Sequence, residues 1–298
     1  MSKALTLTII FQANSLNYGE GIANISELKK IHRGDGSVYT FASRQSIRYD
    51  IVRLGNELFG WNLDTVDKTS GVIQFKKGVT IEDSVEMDLF GYLKTDKQSK
   101  KRAAAARLSH AISLEPYRSD LEFLNNMGLA ERIEETPNIA NIEHHESLYT
   151  YTVTIDLTRI GKDINDDVEI SQEKKNERVQ QLLDILKILN RNIRGRQENL
   201  SPLFIMGGVY PIANPFFLGK IKLVTDTDGW AVELKPLQST MEQTFAGKKV
   251  GDYTFAAMVD GMFANETEFK ETFKSQAISI EGMFQELASQ VDKAYEVV

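Results

Sequence analysis

From Lys3 to Ala13 (Lys-Ala-Leu-Thr-Leu-Thr-Ile-Ile-Phe-Gln-Ala) apolar residues alternate with threonine. A period of two sends successive side chains to opposite faces, so the segment predicts a half-buried strand. Asn14 to Gly21 reads as a loop, and Gly34-Asp35-Gly36 as a turn. The period changes at Ser43. Ile47, Ile51, Leu54 and Leu58 share one helical face, with Ser43 as N-cap and Gly60 as the stop. Gly71–Lys76 predicts a short strand. The Lys/Arg/Ala tract inside Glu82–Ser113 favours helix by propensity but has little apolar face.

Alternation returns over Leu148–Ile160 through Tyr149, Tyr151, Val153, Ile155 and Leu157, which predicts another strand. A second helix is expected over Glu173–Arg194, burying Val179, Leu182, Leu183, Leu186 and Leu189. Leu203–Pro215 is short, apolar and broken by Gly207, Gly208, Pro211 and Pro215. Leu218–Leu234 predicts two strands joined at Asp226-Thr227-Asp228-Gly229. From Tyr253 onward two acidic amphipathic helices are expected, broken near Asn265. This order fits an α+β chain with a split β-α-β core of ferredoxin-like or RRM-like type, carrying an insertion over residues 61–147. No repeat of fixed period interrupts it, so residues 1–298 read as one elaborated domain.

Composition narrows the chemistry. Cysteine is absent, which removes disulfides, thiolate nucleophiles and cysteine-held zinc. No apolar run reaches the ~18 residues of a membrane span, and the opening residues lack a signal peptide's apolar core. The expectation is a cytoplasmic protein with no membrane partner. A net charge of -7 argues against a polyanion partner until its distribution is read. Lys29–Arg53 holds six Lys/Arg against two acids, and Lys94–Arg107 holds six against one. Residues 187–197 carry Lys187, Arg191, Arg194 and Arg196 with no acid, whereas Asp260 to the end carries eight acids against three bases. Such segregation suits a chain that holds a polyanion on one face; its bland counterpart is a set of solvated helix faces.

Enzyme motifs are lacking. The four histidines are His32, His110, His144 and His145, and none stands in a His-Glu-x-x-His arrangement. His144-His145 between Glu143 and Glu146 could take a stray metal, but no metal or other cofactor is expected. Neither a nucleophile elbow nor a phosphate-binding glycine loop occurs. A metal-independent nuclease using His32 beside basic residues stays open. On the binding side, Ser43, Arg44, Gln45 and Arg48 combine a helix N-terminus with two guanidinium forks four residues apart, a set suited to phosphate. Read blandly, they are a cap and two surface arginines.

Three segments carry a resemblance. Phe41-Ala42-Ser43-Arg44-Gln45-Ser46-Ile47-Arg48 is similar to the start of the first helix in DevR-type CRISPR-associated backbone subunits of type I-B Cascade. Asp88-Leu89-Phe90-Gly91-Tyr92, leading through the basic tract to Arg107-Leu108-Ser109-His110-Ala111-Ile112-Ser113, resembles the same family, as does Arg194 through Gly207-Gly208 to Pro215. The resemblance implies an RRM-like palm, a finger insertion over about residues 61–115 and a thumb hairpin over 196–217. It implies a non-catalytic subunit that multimerises along guide RNA (crRNA) beside other Cascade subunits and presents the guide to target DNA. Guide contacts are then expected at Ser43, Arg44, Gln45, Arg48, Lys29, Lys30, Arg33, Arg194 and Arg196. Met206 and Val209 would wedge against bases beside Gly207 and Gly208, and Lys100, Lys101, Arg102 and Arg107 would meet RNA or DNA from the finger. A guide must be held independently of its sequence, so contacts to phosphate and sugar are what the role requires. An endoribonuclease of the same ferredoxin-like lineage, processing precursor RNA, is the alternative.

Overall fold

A computed structural model describes residues 3–296 apart from 20, 22, 69, 70, 72, 96–98 and 225–228. Strand β1 (Ala4–Ala13) forms where the alternation predicted it and lies inside a nine-stranded sheet. Helix α1 (Arg44–Phe59) follows, then strands β2 (Ala106–Leu108) and β3 (Ala111–Ser113), and the long strand β4 (Ser147–Asp156). Helix α2 (Gln172–Lys187), strand β5 (Phe204–Tyr210), strand β6 (Phe255–Met258) and helix α3 (Ile280–Tyr295) complete the frame. Across the sheet the order is Ala277–Ile278, β6, β5, β1, β4, β3, Val38–Ala42 and Lys30–His32, with β2 also paired to β4. Among the described strands of this sheet, only β6 with Ala277–Ile278 pairs in parallel.

Leu5, Leu7, Ile9 and Phe11 of β1 pack under α1, α2 and α3 in one core. The opposite face is buried as well, which corrects the half-buried expectation. Ile10, Phe204 and Met206 join Phe217, Val232, Leu237, Phe263 and Phe269 in a second core, so the chain from Phe217 to Phe273 covers that side. The threonines that looked like a solvent face are sealed in and satisfy one another: Thr8 Oγ1 lies 2.8 Å from Thr152 Oγ1, and Thr6 Oγ1 donates to Thr154 Oγ1 at 3.3 Å.

α1 starts and stops as expected. Ser43 Oγ accepts from Ser46 N, and Gly60 takes the left-handed conformation that closes the helix. Leu58, expected on the buried face, is instead exposed. The chain reverses at Gly60 and lays the Trp61 ring where a Cβ on Gly55 would stand, so Trp61 fills the core and Leu58 is left outside.

Four other expectations change. The second helix ends at Lys187, and Asn190–Ile193 pairs with Arg196–Asn199 as a hairpin. Its two-residue turn, Arg194 (φ 46°) and Gly195 (φ 77°), has the positive φ angles that suit strand twist. The basic tract is extended: Lys100–Arg102 pairs with Tyr92–Lys94, and β2 joins the main sheet. Phe255–Met258 is a strand, so the two C-terminal helices begin only at Glu266 and Ile280. The Gly71–Lys76 strand shrinks to Gln74–Phe75. The legs of the Leu218–Leu234 hairpin bond through Val224 N to Ala231 O and Glu233 N to Lys222 O; residues 226–228 of its turn lie outside the described residues. Among the described residues no helix is long and apolar enough to cross a membrane.

Candidate nucleic-acid interface

The loop leaving β1 organises one surface. Asn17 Oδ1 accepts from Ser43 N at 3.1 Å, and Asn17 O accepts from Lys29 N at 2.9 Å, so the loop binds both the α1 cap and the strand beside it. Arg44 N donates to His110 Nδ1 at 3.0 Å, bringing β3 against the same helix end, where the His110 ring meets Phe41 edge-on. The side chains of Arg44 and Gln45 are exposed.

The 190–199 hairpin arrives from the other side. Its base is locked to α1: Arg191 Nη1 reaches Asp50 Oδ2 at 2.6 Å, and Arg53 Nη2 donates to Asn190 O and Oδ1. Burial pushes the Asp50 carboxyl up and Arg191 and Arg53 pull it back, which marks a buried charge held by two guanidinium groups. The tip then reaches the β1 loop. Arg194 lies over the Tyr18 ring, 4.3 Å from its centroid, and Arg196 Nη1 lies 3.3 Å from His144 Nδ1. Two of the three basic segments therefore meet around Asn14–Tyr18. Lys29, Arg44, Arg194 and Arg196 make no ion pair among the described residues, so their charge is available to an anion.

Other expected contacts are already spent. Lys30 Nζ pairs with Glu143 at 2.7 Å, and Arg48 pairs with Glu86 at 2.6 Å while lying over Phe90. Arg33 sits on the Tyr39 ring at the far tip of its hairpin, away from Ser43. The side of the hairpin facing Gln12 and Ser201 is a cavity of about 360 Å³ lined also by Asn14, Glu146 and Glu198, an acidic boundary that an anionic strand would avoid.

The third basic segment divides. Arg102 is buried and donates to Asp88, which is fully buried and also receives Arg178 at 2.7 Å and Gly161 N at 2.8 Å. Lys100 pairs with Asp166 at 2.5 Å, where Lys94 also binds. Arg102 and Lys100 thus spend their charge on ion pairs that hold the excursion onto the loop after β4, a correction to their expected role. Lys101 and Arg107 are exposed; Arg107 stands opposite Thr154 on the face away from the three helices.

Met206 is not a wedge. Its side chain is fully buried in the second core, and β5 lies between β1 and β6. Gly207 and Gly208 have a packing reason: an added Cβ would stand 1.9 Å from Thr6 O at one and 1.9 Å from Tyr253 O at the other. Exposed apolar side chains occur elsewhere. Strand Asp120–Asn125 pairs with Ile139–His144 to form an arm on which Leu121, Phe123, Met127, Leu129 and Ile133 are exposed. His32, the histidine of the nuclease alternative, is exposed and makes no hydrogen bond from its ring among the described residues.

Sequence reading gave Asn17, Tyr18, His110 and His144 no place in this surface. The Asn14–Gly21 loop was legible as a loop, but nothing local says that it touches a helix cap and a hairpin 170 residues away.

Residues 5–225 match a family of CRISPR-associated proteins. The chain belongs to that family, which is described as CRISPR-associated negative auto-regulator DevR/Csa2. Among solved structures, a chain of "CRISPR RNA-guided surveillance complex, pre-nicking" superposes with TM-score 0.60 at 12% identity, covering 97% of this chain and 100% of that one. A chain of "CRISPR RNA-guided surveillance complex" gives 0.56 at 14% identity, covering 98% and 99%. At these identities the likeness is one of fold. No curated protein matches the sequence.

Proposed function

We propose that this chain is a non-catalytic subunit of a Cascade-type CRISPR complex, gripping the ribose-phosphate backbone of guide RNA while further copies line up along the same strand. The observation that carries the proposal is the convergence of Lys29, Arg44, Arg194 and Arg196, without ion pairs among the described residues, around the Asn14–Tyr18 loop from segments far apart in the chain. Family membership and the fold shared with chains of RNA-guided complexes support it. Lysine and arginine at that surface would bind phosphates and leave base edges free to pair with target DNA.

The sheet order β5-β1-β4-β3, with α1 after β1 and α2 after β4, supports an RRM-like palm. The excursion between α1 and β2 is the finger on this reading, with Lys101 and Arg107 left for guide or target. A wedge must be exposed and apolar, which favours the arm between β3 and β4 over residues 196–217 as the thumb.

The test is salt-dependent binding of single-stranded RNA by the purified chain. Each phosphate contact contributes about 0.7 to the slope of log K against log salt, so Arg44→Glu with Arg196→Glu flattens it by about 1.4. Absence of RNA binding by the wild-type chain at low salt, or an unchanged slope in the double variant, overturns the proposal.

A further inference from the structure

We infer that Arg194 and Tyr18 form a stacking shelf for one nucleobase of the bound strand, so that this clamp holds a base face as well as phosphates. The inference rests on the RNA reading above and specifies one of its contacts.

Three features carry it. The guanidinium of Arg194 lies over the Tyr18 ring at 4.3 Å, within the range of a cation–π contact, so an aromatic ring backs it on one side. The shelf is built from both sides: Tyr18 Oη donates to Glu143 O at 3.1 Å, and Arg194 is the first residue of the tight 194–195 turn, with φ 46°. Arg194 is exposed and makes no ion pair among the described residues, so no carboxylate turns its edge away from a ligand. A guanidinium seated over a ring leaves its outer side to a second π system, and single-stranded nucleic acid supplies one at every nucleotide. Stacking on such a face tolerates any base, which keeps the grip independent of guide sequence.

A point charge and a shelf respond differently to the same substitutions. Arg194→Lys keeps the charge and removes the plane; Tyr18→Leu keeps the packing and removes the backing ring. Binding is measured by fluorescence anisotropy at one salt concentration, using the full chain and two probes: oligoadenylate and an abasic ribose-phosphate oligomer of equal length. The expected result is that wild type binds oligoadenylate about tenfold more tightly than the abasic oligomer, and that Arg194→Lys and Tyr18→Leu erase most of this preference. Equal binding of both probes by wild type, or a full preference retained in Arg194→Lys, overturns the shelf while leaving the phosphate grip intact. A wild-type chain that binds neither probe overturns the RNA reading itself.

Discussion

Asp50 and Arg191 stand 2.6 Å apart, joining the middle of α1 to the base of the 190–199 hairpin. Arg191 Nη1 also donates to Ser46 O, and Arg53 holds the neighbouring Asn190, so the hairpin cannot pivot without breaking a buried charge contact. This lock sets where Arg194 and Arg196 emerge.

Arg191→Leu removes one of the two guanidinium groups that hold the buried Asp50 carboxylate, whose charge burial already disfavours. The expected loss is about 3 kcal/mol of folding stability, the scale found when one partner of a buried pair is removed. Urea unfolding followed by tryptophan fluorescence measures it. RNA affinity of the folded variant should fall as well, because the hairpin tip loses its anchor. Unchanged stability would show that the lock is not a structural element.

Arg102→Leu tests whether the finger arginine is structural. It strips one cation from fully buried Asp88, and a loss of about 3 kcal/mol is expected. Lys101→Ala, one residue earlier and exposed, should change stability by no more than about 0.5 kcal/mol. Equal stabilities of the two variants would return Arg102 to the surface.

His145 gives a pH dependence. It is buried, bonded to Thr40 Oγ1 at 2.7 Å and set edge-on to Tyr117 and Tyr149. Burial holds its pKa below the ordinary 6.5, while Glu115, the Pro116 backbone and Asp120 oppose the shift more weakly. The unfolded chain therefore protonates this ring first as pH falls, binds more protons than the native state, and is favoured by acidification. Wild type should lose more stability than His145→Gln between about pH 7 and pH 5, read as the shift in urea midpoint. Parallel curves for the two proteins would assign the acid sensitivity to other groups.

Phe123→Ser with Leu129→Ser addresses the arm between β3 and β4. Both side chains are exposed, so stability should move by no more than about 0.5 kcal/mol. If the arm is the thumb, electron microscopy of the variant co-expressed with guide RNA will show shortened or absent filaments. Normal filaments would move the thumb elsewhere.

Periodicity located β1, α1, β4 and the start of α2, because each buries a continuous apolar set and the pattern of burial is written into the residues. It overran α2 into Asn190–Arg194, since Leu189 extends the helical apolar set and the Arg-Gly turn is a two-residue signal. It missed the second cover on the sheet. Threonines bonded to threonines look the same in sequence as threonines bonded to water.

The candidate site divides along the same line. Basic segments, the Ser43 cap and the glycines were visible as residue types, but charge alone does not tell a free arginine from a paired one. Arg48 and Arg102 were counted with Arg44 and Arg107, and only their distances to Glu86 and Asp88 separate them.

By itself, the order of residues determined β1, α1, β4 and the start of α2, because local burial period and capping chemistry act over a few neighbours. It also determined that cationic side chains are concentrated in three stretches. Tertiary structure alone decided which of those cations face water. Ion pairing and stacking act over a few ångströms, and Asp50, Tyr18 and Arg194 come within that range only when a loop, a helix and a hairpin distant in sequence are folded together.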